Sequence, residues 1–337
     1  MHDALLWTIE GERVRCGLCP NDCRIAEGGR GVCGARGVKD GRLKALTYAL
    51  VSSLAADPIE KKPVFHFHPG TIVFSAGSVG CSMRCGHCQN WRISRADESG
   101  DVPVRRVQPE QLVAMALERG CGGVAWTYNE PVIWLEYVLD SARLAKAAGL
   151  YTVMVTNGYV TPAGLELFAE HIDVWRTDLK AFSEESHRRL CHVRHADAVR
   201  RAAELALHTY GMHVECVTNV VPGINDSEDE LRAMAGWIAR SLSPDVPWHA
   251  TRFMPYLDFS QVPPTPVPTL LRAREIGREE GLRHVYLGNV DVPGGEDTRC
   301  PECDKLAIMR RGFSARIVGL AEDGACARCG HGLGVRL

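Results

Sequence analysis

From residue 71 onward, short apolar runs alternate with longer segments whose apolar positions recur every three or four residues. The first pattern marks buried strands and the second amphipathic helices. TIVFSAGS (71–78), GGVAWT (122–127), YTVMVTNG (151–158), IDVWRTDLKA (172–181), MHVECVTNVV (212–221) and PWHATRFMP (247–255) read as six strands, and RHVYLGNV (283–290) is a candidate seventh. Between them, PEQLVAMALERG (109–120), PVIWLEYVLDSARLAKAAG (131–149), TPAGLELFAEH (161–171) and segments near 183–190, 196–210, 227–242 and 267–281 read as helices. Pro109 suits a first helical turn, and Ser227 with Glu230 forms a capping-box pair. Strand-then-helix repetition predicts parallel strands joined by right-handed crossovers. The expected fold is α/β, an incomplete (β/α)6-type, TIM-like barrel with its chemistry at the C-terminal strand ends. A doubly wound open sheet is the competing architecture.

The flanks break this pattern. Residues 1–70, rich in Gly and charge, are expected to form an N-terminal four-cysteine metal-binding unit, with the barrel over 71–295. Residues 296–337 read as a C-terminal zinc-ribbon or rubredoxin-like knuckle, too short for an apolar core without a metal staple. A formal net charge of −2 gives no electrostatic footprint for nucleic acid. No run approaches the roughly 18 apolar residues of a membrane helix. Asp3, Glu10, Glu12 and Arg13 interrupt any leader-like stretch, so a soluble cytoplasmic protein is expected.

Cysteine usage changes the picture most. Eleven of the 14 cysteines fall into three groups: Cys16, Cys19, Cys23 and Cys33; Cys81, Cys85 and Cys88; and Cys300, Cys303, Cys326 and Cys329. Gaps of two or three residues let thiolates converge on one metal, whereas disulfide frameworks belong to short secreted domains. GCSMRCGHCQN (80–90), a C-x3-C-x2-C triplet directly after the first expected barrel strand, is the strongest signal. Three thiolates fall short of a structural zinc site but suit a cubane iron–sulfur cluster with one iron left open. A Cys3His zinc site completed by His87 is the alternative.

On this motif the chain resembles the radical S-adenosylmethionine superfamily. The resemblance implies a [4Fe–4S] cluster on Cys81, Cys85 and Cys88 that reductively cleaves S-adenosylmethionine to a 5′-deoxyadenosyl radical for hydrogen abstraction. It places His87 where the family carries an aromatic packing near adenine. TYNEP (127–131) resembles the family's Gly-Gly-Glu-Pro segment, making Glu130 the partner of the cofactor's ammonium, with Tyr128 and Asn129 in place of two glycines. TNG (156–158) contributes Asn157. TDLK (177–180) matches a D-x-K feature of glycyl-radical activating enzymes, giving Asp178 and Lys180 the cofactor's carboxylate, and VVPGIND (220–226) contributes Asn225. The plain alternatives are a helix N-terminal carboxylate for Glu130, a surface salt bridge for Asp178 and Lys180, and a turn for 220–226.

The opening RCGLCPNDCRI…GGRGVCGAR, DPIEKKPVFHFHPG (57–70), YNEP, VVPGIND, YLGNV and the C-terminal CPEC together resemble the AmmeMemoRadiSam-system radical enzymes, in the pyruvate formate-lyase activating enzyme-like branch. That resemblance implies Memo-like and AMMECR-like partners and a flavodoxin- or ferredoxin-like reductant. Alternatives are a glycyl-radical-enzyme activating enzyme and a non-catalytic multi-metal electron-transfer or binding module. The N-terminal quartet suits either zinc or an auxiliary iron–sulfur cluster. Zinc is expected at the paired C-terminal knuckles. Cys121 and Cys216 read as core thiols. Cys191 is a candidate hydrogen donor at the barrel mouth.

Overall fold

In the computed structural model, which describes residues 1–96 and 102–337, the apolar runs form one eight-stranded sheet. Its strands are β1 (Ser53–Pro58), β2 (Ile72–Gly77), β3 (Gly123–Trp126), β4 (Tyr151–Thr156), β5 (Val174–Asp178), β6 (His213–Val220), β7 (Trp248–Arg252) and β8 (Val285–Gly288). They lie in sequence order; β2 to β8 are parallel, and β1 pairs antiparallel with β2. The seven strands expected from the sequence are all present. β1 was not expected, because SLAADP lacks an apolar alternation and ends in a proline that only a sheet edge tolerates. Residues 53–58 therefore belong with the sheet, although the sequence grouped them with the N-terminal unit.

The helices are α1 (Pro109–Glu118), α2 (Leu135–Ala147), α3 (Pro162–Phe168), α4 (Glu184–Cys191), α5 (Asp197–Glu204), α6 (Glu228–Trp237) and α7 (Val267–Glu279). The Ser227 hydroxyl accepts from the Glu230 amide at 3.3 Å, as expected of a cap. The Glu230 carboxylate does not close the box; it accepts from the amides of Phe182 (2.6 Å) and Ser183 (3.0 Å) and so fixes the loop that opens α4.

Side-chain alternation separates the two faces of the sheet. Phe74, Val124, Trp126, Met154, Trp175 and Trp248 point outward into one core shared with Leu112, Val138, Phe168, Ala202, Met234 and Ile276 of the helices. Val73, Ala125, Val153 and Val174 point inward onto Ile59, Val64 and Phe67, which plug the floor. Helices thus cover the outer face, and the inner face closes on a segment of the chain itself. This is a partial barrel, not a doubly wound sheet.

The floor plug is held by polar atoms. The fully buried Glu215 carboxylate on β6 accepts from the amides of Phe65 (2.9 Å) and His66 (2.7 Å). It also accepts from the ring nitrogens of His213 (2.9 Å) and His249 (2.7 Å). Burial alone would raise this carboxyl, but the two imidazole hydrogen bonds hold it well below the usual range. Below the plug, Arg310 of the C-terminal three-stranded sheet donates to the Phe65 carbonyl (2.7 Å) and stacks over the Phe65 ring at 4.0 Å. His68 and Arg336 join backbones at 2.7 Å. The N-terminal hairpins lie against α2, where the buried Arg36 guanidinium pairs with Glu136. No described helix is long and apolar enough to cross a membrane.

Replacing Glu215 strands two amides and two imidazoles. Glu215→Ala is expected to cost about 3–5 kcal/mol, read as a lower thermal midpoint with both proteins in the same metal state. The carboxyl is depressed in the fold, so its contribution is complete above about pH 4.3, the unfolded value, and fades as the pH falls toward the folded one. An acid titration of stability should therefore separate wild type from Glu215→Ala near neutrality and bring them together in acid.

Candidate active site

β2 leaves the sheet at Gly77 directly into the cysteine loop, and the neighbouring strand ends hold that loop by hydrogen bonds. Asn129, past the end of β3, accepts from the Ser78 amide (2.9 Å) and donates to the Gly80 carbonyl (3.0 Å). Asn157, past the end of β4, donates to the Ser82 hydroxyl (3.1 Å) and toward the Cys81 sulfur (3.6 Å). On the far side, the amides of Arg84 and Gly86 donate to the carbonyls of Cys191 (3.1 Å) and Leu190 (2.9 Å) in α4. Arg95 donates to the carbonyls of Arg84 and Cys85, both at 3.0 Å. Pinned from both sides, the loop turns Cys81, Cys85 and Cys88 onto a chamber of about 490 Å³ at the C-terminal strand ends. His87, Tyr128, Asn129, Glu130, Asn157, Asp178 and Lys180 line the same chamber.

Each of these side chains has a definite state. Glu130 accepts from the Thr156 hydroxyl (2.6 Å), the Asn157 amide (2.7 Å) and the Val132 amide (2.9 Å). Burial outweighs those bonds and pushes its carboxyl up to about 7. It therefore caps a helical turn and also presents a carboxylate to the chamber. Asp178 lies between Arg176 and Lys180, accepting from both. Burial opposes its ionisation, but the two cations hold it down to about 2. Lys180 is itself held charged against burial by Asp178. Burial, with the Lys180 charge adding to it, lowers His87 to about 3, so the ring is neutral near pH 7. Tyr128 keeps the left-handed backbone a glycine would adopt, with φ of +75°. Its hydroxyl donates to Asp57 at 2.8 Å, and Lys62 sits 4.9 Å from its ring centre.

Cys191 and Asn225 lie elsewhere. Cys191 is fully buried, packed with Met83 and Cys85, and does not itself line the chamber. Asn225 is buried inside the 220–226 turn, where it donates to the Lys180 carbonyl (2.7 Å) and accepts from the Val221 amide (2.6 Å). It positions the Lys180 backbone and does not line the chamber.

Arg176 escaped the sequence reading. It shares the inward face with Asp178 and Lys180, a relation the two-residue strand period already contains. It also lines a second cavity of about 760 Å³, deeper in the barrel, walled by His249, Tyr286 and Arg310. Lys61, Pro63, Arg176, Val217, Thr251 and Asn289 border both cavities, so the chamber and the second space share a wall.

Three thiolates facing a polar chamber fit a cubane cluster with one open iron, the donor set this loop presents. At the far end of the chain, the sulfurs of Cys300, Cys303, Cys326 and Cys329 all lie within 4.8 Å of one another, fitting a single tetrahedral ion. The N-terminal quartet lines a small cavity of its own. A Cys303→Ser/Cys326→Ser variant should bind about one metal ion fewer per chain than the wild type, measured by elemental analysis, and melt at a lower temperature.

The family model for the radical SAM superfamily matches residues 76–238, from the end of β2 through α6. An uncharacterised protein of Methanocaldococcus jannaschii is 38% identical over 339 residues, covering 100% of both chains. The pyruvate formate-lyase 1-activating enzyme of Escherichia coli K12 is 31% identical over 165 residues, which span 48% of this chain and 65% of that one. A radical SAM methyltransferase structure from Sphaerobacter thermophilus aligns with a TM-score of 0.49 at 15% identity, over 66% of this chain and 67% of that chain. With its cysteine loop at the end of the first parallel strand and its similarity to an activating enzyme, the region 76–238 of this enzyme is a radical SAM superfamily domain.

Proposed function

We propose that this enzyme reductively cleaves S-adenosylmethionine and uses the resulting radical to abstract hydrogen from a substrate bound in the deeper cavity. The observation that carries the reading is the adjacency of the cysteine-lined chamber and that cavity, which share Arg176, Val217, Thr251 and Asn289 as lining. Cys81, Cys85 and Cys88 would hold a [4Fe–4S] cluster, which would supply the one electron that cleaving the sulfonium to methionine and a 5′-deoxyadenosyl radical requires. The residues around it bind and orient. Glu130 receives the cofactor's ammonium, and Lys180, fixed by Asp178, holds its carboxylate. The neutral His87 ring offers an uncharged face to adenine. Asn129 and Asn157 keep the loop in register with the strand ends.

A cavity of about 760 Å³ is in the range of small-molecule sites, roughly 300–1,000 Å³, and this favours a small molecule or short peptide. The sequence resemblance to the AmmeMemoRadiSam enzymes supports placing that reaction beside Memo-like and AMMECR-like proteins, with electrons from a flavodoxin- or ferredoxin-like protein. A second reading, activation of a glycyl-radical enzyme, is favoured by the likeness to the pyruvate formate-lyase and isethionate sulfite-lyase activating enzymes. In that case a loop of the partner protein occupies the deeper cavity.

Anaerobically reconstituted wild type, given dithionite and S-adenosylmethionine, should release 5′-deoxyadenosine, and Cys85→Ala should release none. Absence of the nucleoside from cluster-loaded wild type would sink the reading. Because the Glu130 carboxyl titrates near 7 and only its ionised form attracts an ammonium, S-adenosylmethionine should bind more tightly as the pH rises through 7. Glu130→Gln should bind about tenfold more weakly at pH 8 and show no such pH dependence, read by equilibrium binding to the cluster-loaded proteins.

A further inference from the structure

The three cysteine groups provide a comparison within one molecule. A tetrahedral ion with sulfurs about 2.3 Å away draws those sulfurs to roughly 3.8 Å from one another. The C-terminal quartet has that compression, with Cys300–Cys329 at 3.5 Å and Cys303–Cys326 at 3.6 Å. Among the described residues it is the only set of three or more such ligand atoms lying within 4.8 Å of one another. No three sulfurs of Cys16, Cys19, Cys23 and Cys33 therefore approach that closely. In this they match Cys81, Cys85 and Cys88, the cluster loop, and differ from the knuckle.

The N-terminal sulfurs nevertheless face one another. All four line a single small cavity whose other walls include Leu18, Ile25 and Ile133. Cys16, Cys19 and Cys33 are buried, and the one charged side chain in the lining, Arg36, donates to the Cys16 sulfur at 3.5 Å. Four thiols around an apolar cavity, no three of them mutually within 4.8 Å, are set more widely than around a single tetrahedral ion and suit several metal ions bridged by sulfide. From this spacing we infer that Cys16, Cys19, Cys23 and Cys33 bind a second iron–sulfur cluster.

That cluster lies against the catalytic loop. Asn21 donates to the Ser82 carbonyl at 2.7 Å, and Arg84 donates to the Val32 carbonyl at 3.1 Å. Gly80 approaches so closely that a Cβ there would sit 2.2 Å from the Cys33 carbonyl oxygen. Cys19 shares an apolar cluster with Met83 and Cys85. Both turns that carry these residues border the two sulfur sites, so occupancy of the N-terminal site braces the loop of the other.

The test removes the catalytic ligands and asks what remains. A Cys81→Ala/Cys85→Ala/Cys88→Ala variant, reconstituted anaerobically with iron and sulfide, should retain acid-labile sulfide, bound iron and a visible chromophore that dithionite bleaches. Adding Cys19→Ser and Cys33→Ser should abolish all three and leave the C-terminal zinc. A triple variant holding about two zincs per chain and no sulfide would overturn the inference. As a check that does not depend on the triple variant folding, Cys16→Ser/Cys33→Ser in the otherwise wild-type chain should lose about half or a third of the sulfide, according to cluster type. An unchanged sulfide content would equally overturn it. These readouts count metal and sulfide, so they stand apart from whether S-adenosylmethionine is cleaved.

Discussion

The buried Glu215 carboxylate is the contact on which the barrel's interior depends. A charge inside a sheet is tolerated only when its lone pairs are taken up, and here two backbone amides and two imidazoles do so. The amides belong to the floor plug, and the imidazoles to β6 and β7. One carboxylate thus fixes the plug to the sheet, and Arg310 fixes the same plug to the C-terminal unit. Phe65, gripped from both sides, sets the depth of the inner cavity.

Above that floor, the two-residue period of the strands organises the site. On β5, Arg176 and Asp178 face inward, and Lys180 follows them just past the strand end, so three charges converge where strand and chamber meet. Their mutual pairing keeps Asp178 ionised and Lys180 protonated despite burial. Glu130, satisfied by neutral donors only, titrates near 7 instead. Two carboxylates, one past the end of β3 and one at the end of β5, therefore differ in state because one has cations beside it and the other does not. Asn129 and Asn157 use the same strand ends to hold the cysteine loop, so loop geometry and chamber electrostatics share one scaffold.

The cysteine groups show how far spacing carries an argument. C-x2-C pairs separated by 22 residues gave knuckles with sulfurs compressed around one point, in keeping with their sequence pattern. The irregular C-x2-C-x3-C-x9-C set left the nuclearity of its centre open. Glu136 of α2 pairs with Arg36, which donates to the Cys16 sulfur, so a helix more than a hundred residues away in sequence bears on the quartet.

By itself the sequence determined the order of strands and helices, the family, and most of the side chains that face the chamber. Apolar periodicity and strand-end motifs are local properties, and parallel β/α connectivity converts them directly into positions at one end of a sheet. Tertiary structure alone decided the rest. It recruited the polar strand β1 and the floor plug into the barrel, through pairings that local apolarity does not encode. It packed Cys191 with Met83 and Cys85 and set Asn225 inside a turn, because each is buried by segments distant in sequence. It also set the cysteine-lined chamber beside the deeper cavity, since each space is walled by side chains from many strands and belongs to none of them.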